Sequence, residues 1–440
     1  MLILGLNAYH GDASAAGLID GQLVAAVEEE RFNRIKHAAG FPVEALRYVV
    51  DAAGMLPRDV KTIAVARDPR ARIFHKARYA LTMPGAILHR LGAQRKVATI
   101  AEGVGGALGI DAGQLEVRRI EHHKAHLASS FFVSPFEEAA LYSVDGLGDF
   151  ASAMWGVGRG NRIEPMGATI FPHSLSIFYT ALTQFLGFLK YGDEYKVMGL
   201  ASYGEPEFLD EFRKIVLGPN GGGMDFRLAC DYFLHHRSRE FMTFDHGEPS
   251  VPRSYSDYLV SRLGKAREMD EPIVQRHWNV AASMQLRLEE VILGCLRELR
   301  RTTGMRNLCL AGGVAFNCVV NGKIREQTGF DEVYIQSAAG DAGLAIGAAA
   351  YVWHHQLGHP RDFTMQHSYW GPEFSETRMR SALEQRRHEL DSLGCEVRTI
   401  SNDDELCRLT AAALARRGSG LVPGADGMES AGIGQSQHSR

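Results

Sequence analysis

The chain has 440 residues, 45% of them hydrophobic and 23% charged, with a formal net charge of -4. That length accommodates about two to four domains, and the composition excludes a disordered chain. No apolar run reaches the roughly 18 residues of a membrane span, and near-balanced charge without a basic run argues against nonspecific nucleic-acid binding. The N-terminus enters a strand pattern with no cationic leader, and the six cysteines lack CxxC spacing, so a cytoplasmic protein with reduced thiols is expected.

In chain order, residues 2–6 read as a strand, 7–12 as a turn, 13–19 as a second strand and Gln22–Glu28 as a third, after an Asp20-Gly21 hairpin signal. The charged run Glu28-Glu29-Glu30-Arg31, with Arg34, Lys36 and His37, reads as an exposed face. Residues 43–53 have helical spacing, 116–120 are strand-like, and 125–132 are helical. The opening pattern then recurs, with strands at 139–144 and 151–157 and a third beginning at 162–165. Both copies place a Gly-Asp pair between strands one and two, Gly11-Asp12 and Gly148-Asp149, which predicts an internal duplication; two chance hairpins are the alternative.

Further along, 218–223 and 235–254 read as surface insertions, and 278–301 as a long amphipathic helix. A buried strand at 307–310 runs into the turn Ala311-Gly312-Gly313 and a helix from Val314. A strand at 332–336 leads through Gly340-Asp341-Ala342-Gly343 into a small-residue helix at 344–353. Residues 358–362 read as a linker, 375–390 as a helix and 396–399 as a strand.

The strongest chemical signal is Glu121-His122-His123-Lys124-Ala125-His126. On a helix, His122 and His126 share one face and bring two imidazoles to one metal ion, while His123 points elsewhere. Asp145 and Asp341 end strands in glycine-rich turns and complete a shell that suits Fe(II), Mn(II) or Zn(II). A helix start with solvated histidines is the alternative. Gly312 and Gly313, between a strand and a helix start, suit the approach of an anion or nucleotide. Asn317 and Asn321, four apart on the following helix, offer hydrogen bonds to ribose or base. The loop from Tyr191 to Leu200 mixes charges among glycines and suits phosphate or metal chemistry, with a solvated loop equally open. Lys36 and Lys196 are the candidate substrate-binding cations. No G-x-S-x-G, P-loop or G-x-G-x-x-G motif occurs.

Seven blocks in order, YHGDASAAGLIDGQLVAAVEEERFNRIKH…FP, HHKAHLASSFFVSPF, VDGLGD, PHSLSIFYTALTQFLGF, YKVMGLASYG, LAGGVAFNCVVNGKI and GDAGLAIGAA, resemble the O-carbamoyltransferase family of nodulation and antibiotic-tailoring enzymes. The resemblance covers roughly residues 1–355, and more weakly as far as about 420. It implies an α/β chain with a duplicated actin-like ATPase fold, similar to the tRNA threonylcarbamoyl-transfer protein, in halves of about 1–115 and 116–355. The start of an α+β domain resembling threonylcarbamoyl-adenylate synthase follows at 361–420. In that family the second domain makes carbamoyl adenylate from carbamoyl phosphate and ATP. The first moves the carbamoyl group to a hydroxyl of a small-molecule acceptor. By matching motif positions, His122, His126, Asp145 and Asp341 are the metal site and the catalytic centre, with iron(II) the expected ion. Gly312, Gly313, Asn317 and Asn321 hold the adenylate, and the Asp12 turn lines the same cleft. Neither nucleic acid nor membrane is an expected partner, and the oligomeric state is left open, a dimer included.

The resemblance breaks near residue 420. There the family carries a motif of the form WFxGRMEWxPRALGNRSIL, whose arginines grip phosphates, whereas this chain reads LVPGADGMES and closes with GQSQHSR. Back-translation from Leu421 in a frame moved by one base permits WFQGRMEWSPRALGNRSIL, and Met428-Glu429 forces a tryptophan codon in it. The expectation is a single-frame slip, leaving 361–420 short of a core and 421–440 as an out-of-frame disordered tail. A chain so truncated makes no carbamoyl adenylate of its own. The alternatives to a transferase are a non-catalytic metal- or nucleotide-binding remnant and an actin-like sugar kinase.

Overall fold

The computed structural model describes residues 1–82, 99–219, 223–238, 242–245 and 247–416; the tail expected at 421–440 lies outside them. Strands β1 (Leu2–Asn7), β2 (Ser14–Ile19) and β3 (Gln22–Glu28) form the expected antiparallel meander. Strand β4 (Thr62–Val65) then adds parallel to β1, and β5 (Glu116–Arg119) parallel to β4. The sheet order is therefore β3-β2-β1-β4-β5. The second sheet repeats it. Strands β6 (Glu138–Gly148), β7 (Ala151–Arg159) and β8 (Arg162–Ile170) form the meander, β9 (Asn307–Ala311) lies parallel to β6, and β10 (Glu332–Ile335) parallel to β9. Strand order and direction match in the two sheets, which is the duplicated actin-like α/β architecture that the two Gly-Asp turns foretold.

The central strands are buried on both faces, so they read as continuous apolar runs; every residue of LILGLN in β1 is buried. Helix α1 (Val43–Ala52) covers the outer face of the first sheet with Ala45, Leu46, Val49 and Val50. On the second sheet that task falls to α3 (Leu175–Phe185) and the long α4 (Gln275–Thr303), which share one core with Tyr142 and Trp155. Between the sheets lie α2 (His122–Phe131) and α5 (Leu344–Ala350), in a core that joins Ile3 and Ala16 of one sheet to Leu141 and Met154 of the other. Small residues allow this sandwich. A Cβ added at Gly347 would lie 1.9 Å from the Ala125 carbonyl oxygen, so α5 presses backbone to backbone against the histidine-bearing helix. α5 continues as a π-helical turn over Tyr351–Gln356, past the predicted end at 353.

Pairing places Glu116–Arg119 in the first sheet, so that sheet runs past the expected boundary at 115/116. Residues 358–370, read as a linker and the start of a new domain, instead strap the actin-like body. The Arg361 guanidinium donates to the carbonyls of Phe131 at 2.7 Å, Ser134 at 2.8 Å and Phe136 at 2.8 Å, and lies 4.3 Å from the centre of the Phe131 ring. Met365 N donates to Val133 O, and Ala26 N to Trp370 O. Arg361 thereby gathers three carbonyls at and just beyond the end of α2. Beyond the strap, helices Glu376–Gln385 and Arg387–Ser392 bury no residue. The strand predicted at 396–399 does not form. Those residues are exposed, and a lone strand has no neighbour to pair with or pack on.

Arg361→Ala removes a cation from several carbonyls at once. It is expected to lower stability by about 2 kcal/mol, within the usual range for charge-assisted bonds. Urea titration against the parent chain measures it.

Candidate metal centre and its cavity

The chain leaves β5, and Glu121 caps α2 by accepting the Lys124 N–H at 3.0 Å, held in turn by Arg72 at 2.5 Å. A second support comes from the duplicated turn. Asp149, in the left-handed region at φ 47, accepts the backbone N–H groups of His122 at 3.0 Å and Asp68 at 2.8 Å. Its neighbour Gly148 lies directly against the His122 imidazole, and a Cβ there would fall 2.0 Å from Cγ of the ring. The turn therefore fixes both the start of α2 and the seat of its first histidine.

One helical turn separates His122 from His126, and their Nε2 atoms are 3.2 Å apart. Asp145, in the last part of β6, reaches them with Oδ2 at 3.1 and 3.3 Å. Asp341, in the turn before α5, places Oδ1 3.6 Å from each Nε2. All four residues are buried, and their ligand atoms lie within 4.8 Å of one another. The expected constellation assembles from three separate parts of the chain. His123 turns aside as expected and meets the Ser143 hydroxyl at 2.9 Å; burial drives its pKa down to about 3.

The electrostatics favour a cation. Asp341 Oδ1 is buried without a hydrogen-bond partner and aims at both imidazoles. Burial opposes charge on His126, but the carboxylates of Asp145 and Asp341 outweigh it and raise its pKa to about 9. Burial likewise works against ionised Asp145, and the two imidazoles overcome it, holding its carboxyl well below the usual range. Asp341 is lowered too, against burial, chiefly by His10. Two imidazole nitrogens and two carboxylates suit one borderline divalent ion.

The centre opens on a cavity of about 280 Å³. Of the other predicted residues, Asp12, Lys36, Gly313 and Asn317 line it. Gly313 N donates to Asp145 Oδ1 at 2.9 Å, which couples the Gly-Gly turn to the metal centre. Gly312 does not line the cavity; it connects backbone to backbone, its N–H donating to Ala339 O at 2.7 Å. The helix expected from Val314 is replaced by a tight turn over Gly313–Phe316, and Asn317 then caps the short helix Cys318–Asn321. Asparagine is a strong N-cap, so Asn317 and Asn321 do not share a helix face. Asn317 also pairs with Gln285 through bonds of 2.9 and 3.0 Å, whereas Asn321 donates to Ala315 O and lies off the cavity. Most of the expected loop at 191–200 is the helix Glu194–Leu200; in it Lys196 is off the cavity as well, paired with Asp193 at 2.7 Å, while Tyr191, Glu194 and Tyr195 do face it.

Several cavity residues escaped the sequence reading. His10, in the predicted first turn, bonds Asp341 from the opposite half of the molecule. The charged run 28–37 is an exposed face only in part, at Arg34 and Lys36. Glu28 and Glu29 are buried; Glu29 caps α1 by accepting the Ala45 N–H at 2.8 Å, and Glu28, Glu30 and His37 line the cavity. The stretch 235–254 is more than a surface insertion, because Met242, Val251 and Ser254 form part of the wall. Alternation of charges along a run cannot reveal a buried carboxylate whose partner arrives from elsewhere.

Two outcomes follow. Gly148→Ala displaces the His122 ring, and divalent-metal affinity should fall at least tenfold with far-UV circular dichroism unchanged, as titration calorimetry would show. Because an incoming cation must displace the proton of His126, affinity should rise with pH up to about 9, with measurable proton release on binding below that.

A family model described as carbamoyltransferase N-terminus matches residues 2–350. A protein of Synechocystis sp. is 36% identical over 396 residues, covering 87% of this chain and 62% of that protein. Nodulation protein NolNO of Sinorhizobium fredii is 32% identical over 416 residues, covering 91% of this chain and 54% of its own length. The chain thus spans little more than half the length of these curated relatives. Among solved structures, T. kodakarensis HypF aligns at 12% identity with a TM-score of 0.40, over 81% of this chain and 48% of that one.

Proposed function

The chain belongs to the carbamoyltransferase family through its N-terminal domain, and on that premise we propose that it catalyses O-carbamoyl transfer. The donor in this reading is carbamoyl adenylate, derived from carbamoyl phosphate and ATP. The acceptor is a hydroxyl of a sugar or secondary-metabolite precursor. The observation that carries the reading is the cluster of two histidines and two aspartates opening on the cavity that Asp12, Lys36, Gly313 and Asn317 line.

His122, His126, Asp145 and Asp341 would hold a divalent cation, iron(II) in this reading. Such an ion supplies Lewis-acid stabilisation of charge developing on a phosphate or carbonyl oxygen. The Lys36 ammonium contributes positive charge to the same cavity, suited to a phosphate group. The acceptor oxygen attacks the carbamoyl carbon, the bond from that carbon to the phosphate oxygen breaks, and AMP leaves; no protein nucleophile is required. The apolar wall of Ile177, Met198, Val314 and Phe316 keeps water from competing with the acceptor. Neither nucleic acid nor membrane enters the reading, and the reaction is placed in the cytoplasm. No helix among the described residues is long and apolar enough to cross a membrane.

A sugar-kinase reading leaves the His122–His126 pair without a task. The two are separated by supplying synthetic carbamoyl adenylate and a panel of sugars. Carbamoylated product, detected by mass spectrometry and reduced about 100-fold or more in His122→Ala, is expected. Phosphorylated sugar from ATP, insensitive to His122→Ala, would support the kinase instead. A chain that binds metal yet yields neither product would be a non-catalytic remnant.

A further inference from the structure

The duplicated turns have diverged at their aspartates. Asp12 and Asp149 share the left-handed conformation, with φ 55 and 47. Asp149 directs Oδ2 to two backbone N–H groups beneath α2. Asp12 instead lines the cavity, with Oδ1 bonded to His37 Nδ1 at 2.7 Å and no hydrogen bond to Oδ2 among the described residues.

The first turn is held rigidly. The Asn7 amide donates to the carbonyls of Gly11 and Asp12, each at 3.0 Å, and Ala13 N donates to Ala38 O at 2.8 Å. His37 is anchored through its own N–H, which donates to Glu30 Oε2 at 2.7 Å. Its ring lies edge-on to Tyr191 at 5.1 Å, and Nε2 is buried against Gly192, where an added Cβ would fall 2.3 Å away. The imidazole therefore cannot present its second nitrogen to a ligand. What this pair shows to the cavity is the Asp12 carboxylate.

We propose that Asp12 accepts the proton of the attacking hydroxyl and that His37 is the positioning residue that holds it. The assignment rests on the carbamoyl-transfer reading. As the acceptor oxygen bonds to the carbamoyl carbon, its proton passes to Asp12 Oδ2. The electron pair of the carbon–oxygen bond to the adenylate departs with AMP, and the protonated Asp12 then returns the proton to solvent. The other cavity carboxyls have partners of their own. Asp145 and Asp341 face imidazoles, Glu194 accepts from Thr180 at 2.6 Å, Glu28 is held by Arg31 at 2.9 Å, and Glu30 accepts the His37 N–H at 2.7 Å.

The titratable groups around Asp12 are His37, Glu30, Glu28 and Tyr191, with Lys36 on the same wall. Burial opposes charge on His37, but its bond to Asp12 outweighs this and raises its pKa.

The test follows AMP release from carbamoyl adenylate across pH, with water and with glycerol as acceptor. Asp12→Asn should lower kcat at least about 100-fold, leave KM for carbamoyl adenylate within about threefold, and abolish the fall in rate at acid pH. His37→Gln removes the ring bonded to Asp12 Oδ1 and should move that acid fall; a purely structural role would change the plateau and leave the limb in place. Asp12→Asn within about threefold of the parent, or an acid limb unmoved in His37→Gln, overturns the assignment while carbamoyl transfer stands. A parent chain that releases no AMP overturns the transfer reading and this assignment together.

Discussion

Everything at the centre depends on one contact: two imidazole nitrogens 3.2 Å apart, pressed between the carboxylates of Asp145 in β6 and Asp341 in the turn before α5. Such crowding of polar atoms in a buried place costs free energy unless charge is balanced there. The fold meets that cost with rigidity. α2 is held at its start by Glu121 and Asp149, along its side by the close approach of Gly347, and at its end by Arg361. A helix so confined keeps both rings within ligand distance of one point.

The two halves contribute unequally. The second supplies Asp145 and the Gly313 turn, joined through a 2.9 Å bond, and also Asp341. The first supplies His10, which meets Asp341 across the interface, and the wall built from Asp12, Glu28, Glu30 and His37. Duplication thus provided two equivalent turns. One now supports a helix from below and the other borders the cavity. The same backbone bend, with an aspartate at positive φ in each, serves both ends because the bend sets direction while the neighbours set use.

Charged and apolar side chains line the cavity together: Asp12, Glu28, Glu30, Lys36 and His37 come from the first half, and Asp145, Glu194 and Asp341 stand beside Ile177, Met198, Val314 and Phe316 in the second. The strap of residues 358–370 ties the carboxyl-terminal segment to the end of α2, the histidine-bearing helix.

The strand meanders, the repeated Gly-Asp turns and the histidine pair were all legible in the linear order of residues. Each depends on local rules: period-two alternation, turn chemistry, and the four-residue repeat of a helix face. Those rules also singled out His123 as the odd member of its triplet. They failed where a side chain's surroundings come from distant segments. Glu29 and His37 look solvated until α1, Asp12 and Tyr191 close over them, and Asn317 looks like a helix-face residue until Gln285 captures its amide and the backbone starts the helix one residue later. Residues 358–370 look like a linker because the carbonyls that Arg361 binds lie more than 200 positions away in sequence. Local pattern decided which elements exist and which side chains carry chemistry. Only long-range packing decided which of those side chains are desolvated, paired and aimed at one cavity, because burial belongs to the assembled neighbours and not to the residue itself.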